Sequence, residues 1–362
     1  MEGKSENVVE RKVIIVDNTD NRNTTAICLV CKVKFYNEAE NAGSVIEYRC
    51  PECRGCNKCR KGDVIEKMSF KQEREQCLIE DCVTLNLKDK EVIASLPFIC
   101  NPDEKLSPNH DVALKVYNQQ LKKLSRDPEK KTGVIQSERK LQDAGHVDWV
   151  VNVSEKDLRG ILEGSDGHFL PWRFVENEGS ISTPVRLVFD ASSITATGNS
   201  LNDTLAKGIN SMNPMIQVII RFRSYDVAIH TDIRQMYNVV KLLPEHWKFQ
   251  RYLFDEFLNP DNEPEEKAVQ TIIYGVTSSG NQAACGLRIT ASEQRDKFPE
   301  ASSSIIDDSY VDDVATGSDE TSGEKLSSEI TTVLAGGGFV PKGYTISRQP
   351  PPPDPERSSL QK

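Results

Sequence analysis

Two aspartates stand side by side in Ser309-Tyr-Val-Asp312-Asp313-Val-Ala-Thr-Gly317, among residues that favour a β-strand. A third lies upstream in Ala228-Ile-His-Thr-Asp232-Ile-Arg-Gln-Met-Tyr237, where a strand runs into Asp232 and the chain then turns. If the two segments are strand neighbours, Asp232 and Asp312 point at one spot. Carboxylates gathered at a point repel unless a cation neutralises them, and their hard oxygens suit magnesium. Two such ions about 4 Å apart activate an attacking oxygen and stabilise a leaving phosphate, which is the logic of nucleotidyl transfer. The spacing alone also fits a solvated acidic turn. His230, two residues before Asp232, shares its strand face and reads as a packed neighbour without a catalytic role.

A second constellation is made of thiols. Cys28 and Cys31 are followed after 18 residues by Cys50 and Cys53, then by Cys56 and Cys59 at the same spacing. Paired Cys-x₂-Cys units are the pattern of a structural zinc site, and tetrahedral thiolate coordination folds a short segment that is poor in apolar residues. Which four of the six would ligate is open. The run from Cys50 to Cys59 approaches an iron–sulfur arrangement, one residue short in its last gap, and a metal-free segment is the third reading. Cys77, Cys82, Cys100 and Cys285 are scattered and read as small buried side chains.

Elements must hold these groups. Ser69-Phe-Lys-Gln72 is a capping box opening a helix to about Val83. Ile93–Pro97 reads as a short strand. Ser107-Pro108 opens a helix with Ala113, Val116, Tyr117, Gln120, Leu121 and Leu124 on one face. Asp127-Pro128 opens another that ends near Gly145, and Ser154–Asp157 caps a short third. Strands are expected at Pro184–Phe189, Val227–Ile229, Phe249–Phe254 and Thr271–Tyr274, the last two joined as a hairpin across Asn259–Pro264. Helices are expected from Gln282 to Arg295 and from Glu320 to Ala335, the latter stopped by Gly336-Gly-Gly338.

The net charge of −10 argues against a simple basic nucleic-acid-binding module, though not against a local basic groove on an acidic body. No apolar run approaches the roughly 18 residues of a membrane span, and the first residues carry no secretory core. The chain therefore reads as intracellular, where cysteines serve metals more than disulfides.

The motifs also resemble a known family. Tyr310-Val-Asp-Asp313 resembles the Tyr-x-Asp-Asp box of reverse transcriptases, and Asp232 with Tyr237 resembles the box that precedes it. Arg186-Leu-Val-Phe-Asp-Ala-Ser-Ser193 resembles the fingers motif. Ile273-Tyr-Gly275-Val-Thr-Ser-Ser-Gly-Asn-Gln282 resembles the box that holds nucleotide and template. Their order, and the 80 residues from Asp232 to Asp312, are typical. Val188–Ser193, Asp232–Asn238, Trp247–Phe254, Ile273–Val276 and Tyr48–Cys56 narrow the similarity to the Bel/Pao class of long-terminal-repeat retrotransposons, over roughly Glu47 to Ser347.

The resemblance implies an α+β fold, a right-hand palm and fingers. It implies that Asp232 and Asp312 hold two magnesium ions, with Asp313 in support. Arg186 then binds the triphosphate, where a guanidinium fork suits phosphate oxygens. Tyr237 lies under the sugar and leaves no room for a 2′-hydroxyl. Gly275 lets backbone approach the nucleotide. Lys342 sits near the pyrophosphate, and Asp190 serves a structural role. The substrates are a primer on an RNA or DNA template and deoxynucleoside triphosphates, and the location is the cytoplasm or virus-like particles.

The expected organisation is a cysteine-rich, zinc-binding segment (1–62), a mostly helical linker and N-terminal fingers region (63–167), fingers and palm (168–347), and a disordered proline-rich tail (348–362). Thumb, protease, ribonuclease H and integrase signatures are not found, which implies a truncated copy. The rival reading is a catalytically inactive remnant acting as a zinc-stabilised nucleic-acid- or protein-binding module.

Overall fold

Along Val227–Asp232 burial alternates residue by residue. Val227, Ile229 and Thr231 are buried, while Ala228, His230 and Asp232 are half-buried on the other face. That is the period of a strand packed on one side and open on the other. The computed structural model describes residues 69–150, 168–176, 185–319 and 322–348, with the backbone of strands Val13–Val16, Asn23–Cys28 and Lys34–Glu38. The chain divides into two compact units, Met1–Cys77 and Leu78–Lys362.

In the first unit the three N-terminal strands form an antiparallel sheet in chain order, and Cys28 closes the middle strand opposite Val13. Cys31, Cys50, Cys53, Cys56 and Cys59 and the side chain of Cys28 lie outside the described residues. So do the short helix expected at Ser154 and the proline-rich tail.

The second unit mixes helices with small sheets, an α+β architecture. Its largest sheet among the described residues runs Ser309–Tyr310, Asp313–Ser318, Val227–Asp232 and Thr345–Arg348, all antiparallel. One core joins the sheet's Val227, Ile229 and Val314 to Leu287, Ile305, Ile330 and Val333. These come from helices Ser279–Glu293, Pro299–Asp307 and Gly323–Ala335. The last helix ends as the glycines require. Gly338 takes φ +80°, and the Phe339 N–H reaches back to the Leu334 carbonyl at 3.1 Å. Trp172–Glu176 and Val185–Phe189 form a separate antiparallel ribbon.

Several expectations hold. Ser69 and Gln72 exchange both bonds of the capping box, at 3.0 and 3.3 Å. The helix Pro128–Asp143 is capped by Asp127, which accepts from the Lys130 N–H. Helix His110–Leu124 buries Ala113, Tyr117, Gln120, Leu121 and Leu124, but its N-cap is Asn109 rather than Ser107. The Asn109 side chain is drawn instead to the Phe169 backbone, with two bonds of 2.7 Å.

The hairpin is corrected. Arg251–Phe254 pairs with Glu265–Val269, not with Thr271–Tyr274. The true partner reads as Glu-Glu-Lys, because its central lysine is buried as an ion pair: Lys267 lies 2.5 Å from Glu138. Ile272 and Ile273 are buried in a connecting stretch instead. The scattered cysteines Cys77, Cys82, Cys100 and Cys285 are half-buried rather than buried.

Candidate active site

The register of the central strands places the acidic residues. Asp313 stands directly opposite Asp232, and Tyr310 opposite Asp313. Val311 and Asp312 are therefore the two residues of a tight turn. Val311 takes φ +57°, a left-handed conformation that costs a β-branched side chain roughly 1–3 kcal/mol. The Asp312 carbonyl accepts the Ile233 N–H at 2.7 Å, which pins the turn to the end of the Asp232 strand.

Like charges directly opposite one another across a sheet repel. Here each has its own partner. Lys342 Nζ lies 2.8 Å from Asp232 Oδ2, and the Lys342 backbone N–H donates to the Asp232 carbonyl at 2.8 Å. His230 Nε2 lies 3.0 Å from Asp313 Oδ1. His230 is thus a half-exposed partner of the site, where the sequence reading made it a packed neighbour. Burial pushes the Asp312 carboxyl above its ordinary range. Asp232 and Asp313 push the same way, against a bond to its own backbone and the Lys342 charge.

Asp232 Oδ1 is buried and, among the described residues, finds no hydrogen-bond partner. A buried carboxylate oxygen without a donor is costly. The other oxygen of the same group already holds a cation, the Lys342 ammonium. The orphaned oxygen has the donor chemistry that a hard metal ion such as magnesium takes, while the Lys342 ammonium on the other oxygen already balances part of the charge.

Two tyrosines flank the carboxylates. Tyr237, on the short helical turn Met236–Val239, lies against Tyr274 with ring centroids 3.9 Å apart. Burial raises the Tyr237 hydroxyl, and the Asp312 charge adds to it. Burial, Asp312 and Tyr237 push Tyr274 up to about 12, while Arg186 pulls it down. Those couplings put Asp312, both tyrosines and Arg186 in one neighbourhood. Arg186 is exposed on Val185–Phe189. Asp190 bonds within its own turn, accepting from the Ser192 N–H, with Arg173 at 4.0 Å.

Gly275 takes φ +100°, and a Cβ there would lie 2.4 Å from the Phe189 carbonyl oxygen. Asn202 braces this stretch, donating to the Gly275 carbonyl and accepting from the Thr277 N–H. Beside the turn lies a cavity of about 300 Å³ lined by Val311, Tyr237, Met212, Lys207, Asn281 and Arg288.

The structure therefore brings Asp232, Asp312, Asp313, Lys342 and Tyr237 together. Arg186 reaches the same neighbourhood through the ribbon, and Gly275 packs on the end of Arg186's strand. Of the six expected zinc cysteines only the backbone of Cys28 is described. His230 and Tyr274 are additions, and so is Asn202. A histidine two residues before an aspartate on an alternating strand was the available signal for the first. The bracing by Asn202 spans 73 residues to Gly275 and leaves no local trace. Neither the models of known protein families nor the curated proteins include a match to this chain.

Proposed function

We propose that residues 168–347 are the fingers and palm of a reverse transcriptase of the retrotransposon type. It adds deoxynucleotides to a primer 3′-hydroxyl on an RNA or DNA template. The observation that carries this reading is the register pairing Asp313 with Asp232, which sets Asp312 at the tip of the adjoining turn. The orphaned Asp232 Oδ1 supports a metal role for that group.

Asp232 and Asp312 would hold magnesium, which when bound neutralises phosphate charge and activates the attacking oxygen. Arg186 binds the triphosphate as a guanidinium fork. Tyr237, braced by Tyr274, fills the space beneath the sugar and excludes a 2′-hydroxyl. Gly275 lets the backbone close on the base pair. Lys342, 2.8 Å from Asp232 Oδ2, would supply its charge to the pyrophosphate.

The test is magnesium-dependent binding of a fluorescent deoxynucleoside triphosphate to the purified chain. Binding that needs Mg2+ and is weakened at least about tenfold by Arg186→Ala or Asp232→Asn supports the reading. Binding indifferent to Mg2+ and to both substitutions overturns it and favours a non-catalytic binding module.

A further inference from the structure

We infer that His230 is a positioning residue. It holds Asp313 out of the metal-binding set, so that Asp232 and Asp312 alone face the metal. This rests on the polymerase reading of the same site.

The placement follows from the sheet. His230 pairs in register with Ala315, and Asp313 lies two residues before Ala315 on that strand. The two side chains therefore share one face as diagonal neighbours, within reach for a long side chain. His230 Nε2 meets Asp313 Oδ1 at 3.0 Å. Directly beside this pair Asp232 is held from another direction, by Lys342 on Oδ2.

The consequence is a division between chemically identical groups. Asp313 is directly opposite Asp232 and could join it on a shared ion. Its Oδ1 is already engaged by the imidazole. Among the described residues Asp232 Oδ1 finds no hydrogen-bond partner, and it is buried. A cation that reaches the pair thus meets an unpartnered oxygen on Asp232 and, on Asp313, an Oδ1 that the imidazole already holds. Without the histidine, Asp313 turns freely and supplies a third carboxylate. The ion is then held more tightly, and in a geometry that the reaction does not use. Since His230 and Asp313 are 44% and 49% exposed, the fold does not depend on their contact.

The experiment measures Mn2+ binding to the full chain by its electron paramagnetic resonance signal, without nucleotide or nucleic acid. The site's share is the part abolished by Asp232→Asn. His230→Ala is expected to tighten that share by roughly tenfold, the scale of a hydrogen bond to a charged group. His230→Gln keeps a donor and is expected to bind like the parent. His230→Ala with Asp313→Asn is expected to return to the parent affinity. Affinity unchanged or weakened in His230→Ala, or tightened equally in His230→Gln, overturns the inference while the metal site stands. A parent with no Asp232-dependent Mn2+ binding overturns the polymerase reading and this inference with it.

Discussion

Asp313 lies directly across the antiparallel register from Asp232, yet the two carboxylates answer to different partners. His230 stands 3.0 Å from the first and Lys342 2.8 Å from the second. Two like charges are thereby kept face to face in a folded sheet.

Such a cluster is strained by its own charge, and Asp312 carries the sign. Its carboxyl is raised above the ordinary 3.8, chiefly by burial. A raised carboxyl favours the protonated folded state, so its ionisation destabilises the fold as pH rises through the raised value. Asp312→Asn is therefore expected to melt about 1–3 °C above the parent at pH 7. The gap should close as pH falls toward 3.8. Melting curves across that range check both halves.

Lys342 is expected to matter twice. Lys342→Ala removes the cation 2.8 Å from Asp232 Oδ2, so stability should fall slightly, by the worth of a half-exposed ion pair, about 0.5–1 kcal/mol. In primer extension its KM for deoxynucleotide should rise by roughly tenfold, with the metal requirement eased rather than tightened. A titration of Mg2+ at fixed nucleotide separates the two effects.

Gly275→Ala places a Cβ 2.4 Å from the Phe189 carbonyl oxygen at φ +100°. Neither backbone can yield without moving the ribbon that carries Arg186. Destabilisation of about 2–4 kcal/mol is expected from urea midpoints.

Lys267 tests the body of the unit rather than the site. It is fully buried, 2.5 Å from Glu138 and 2.8 Å from Gln142, with the Trp149 ring 3.9 Å beneath its ammonium. Lys267→Met strands a buried Glu138 and should cost about 3–5 kcal/mol. Adding Glu138→Gln should recover most of that, because a neutral amide can still accept the Tyr252 hydroxyl bond that Glu138 now takes at 2.8 Å. Denaturant midpoints of the parent and the two variants decide it.

The same lysine explains where the sequence misled. Apolar, β-branched residues made the strand at Val227–Ile229 legible, and Asp127-Pro128 announced its helix. A buried charged strand has no such signature, so Glu265–Val269 was passed over for the more apolar Thr271–Tyr274. At the site, the aspartates and Tyr237 were readable from residue type and order. The pairing of His230 with Asp313 was not, because it depends on which strand lies beside which, and in what register. Nor was the left-handed Val311, since no residue type announces a strained turn that the surrounding bonds impose.

The most direct measurement is primer extension on an RNA template by the purified chain, with Mg2+ and deoxynucleotides, beside Asp312→Asn. Template-directed extension by the parent and none by the variant is the result that a two-aspartate metal site predicts. Equal extension by both, or none by a folded parent that is supplied with every substrate, would contradict it.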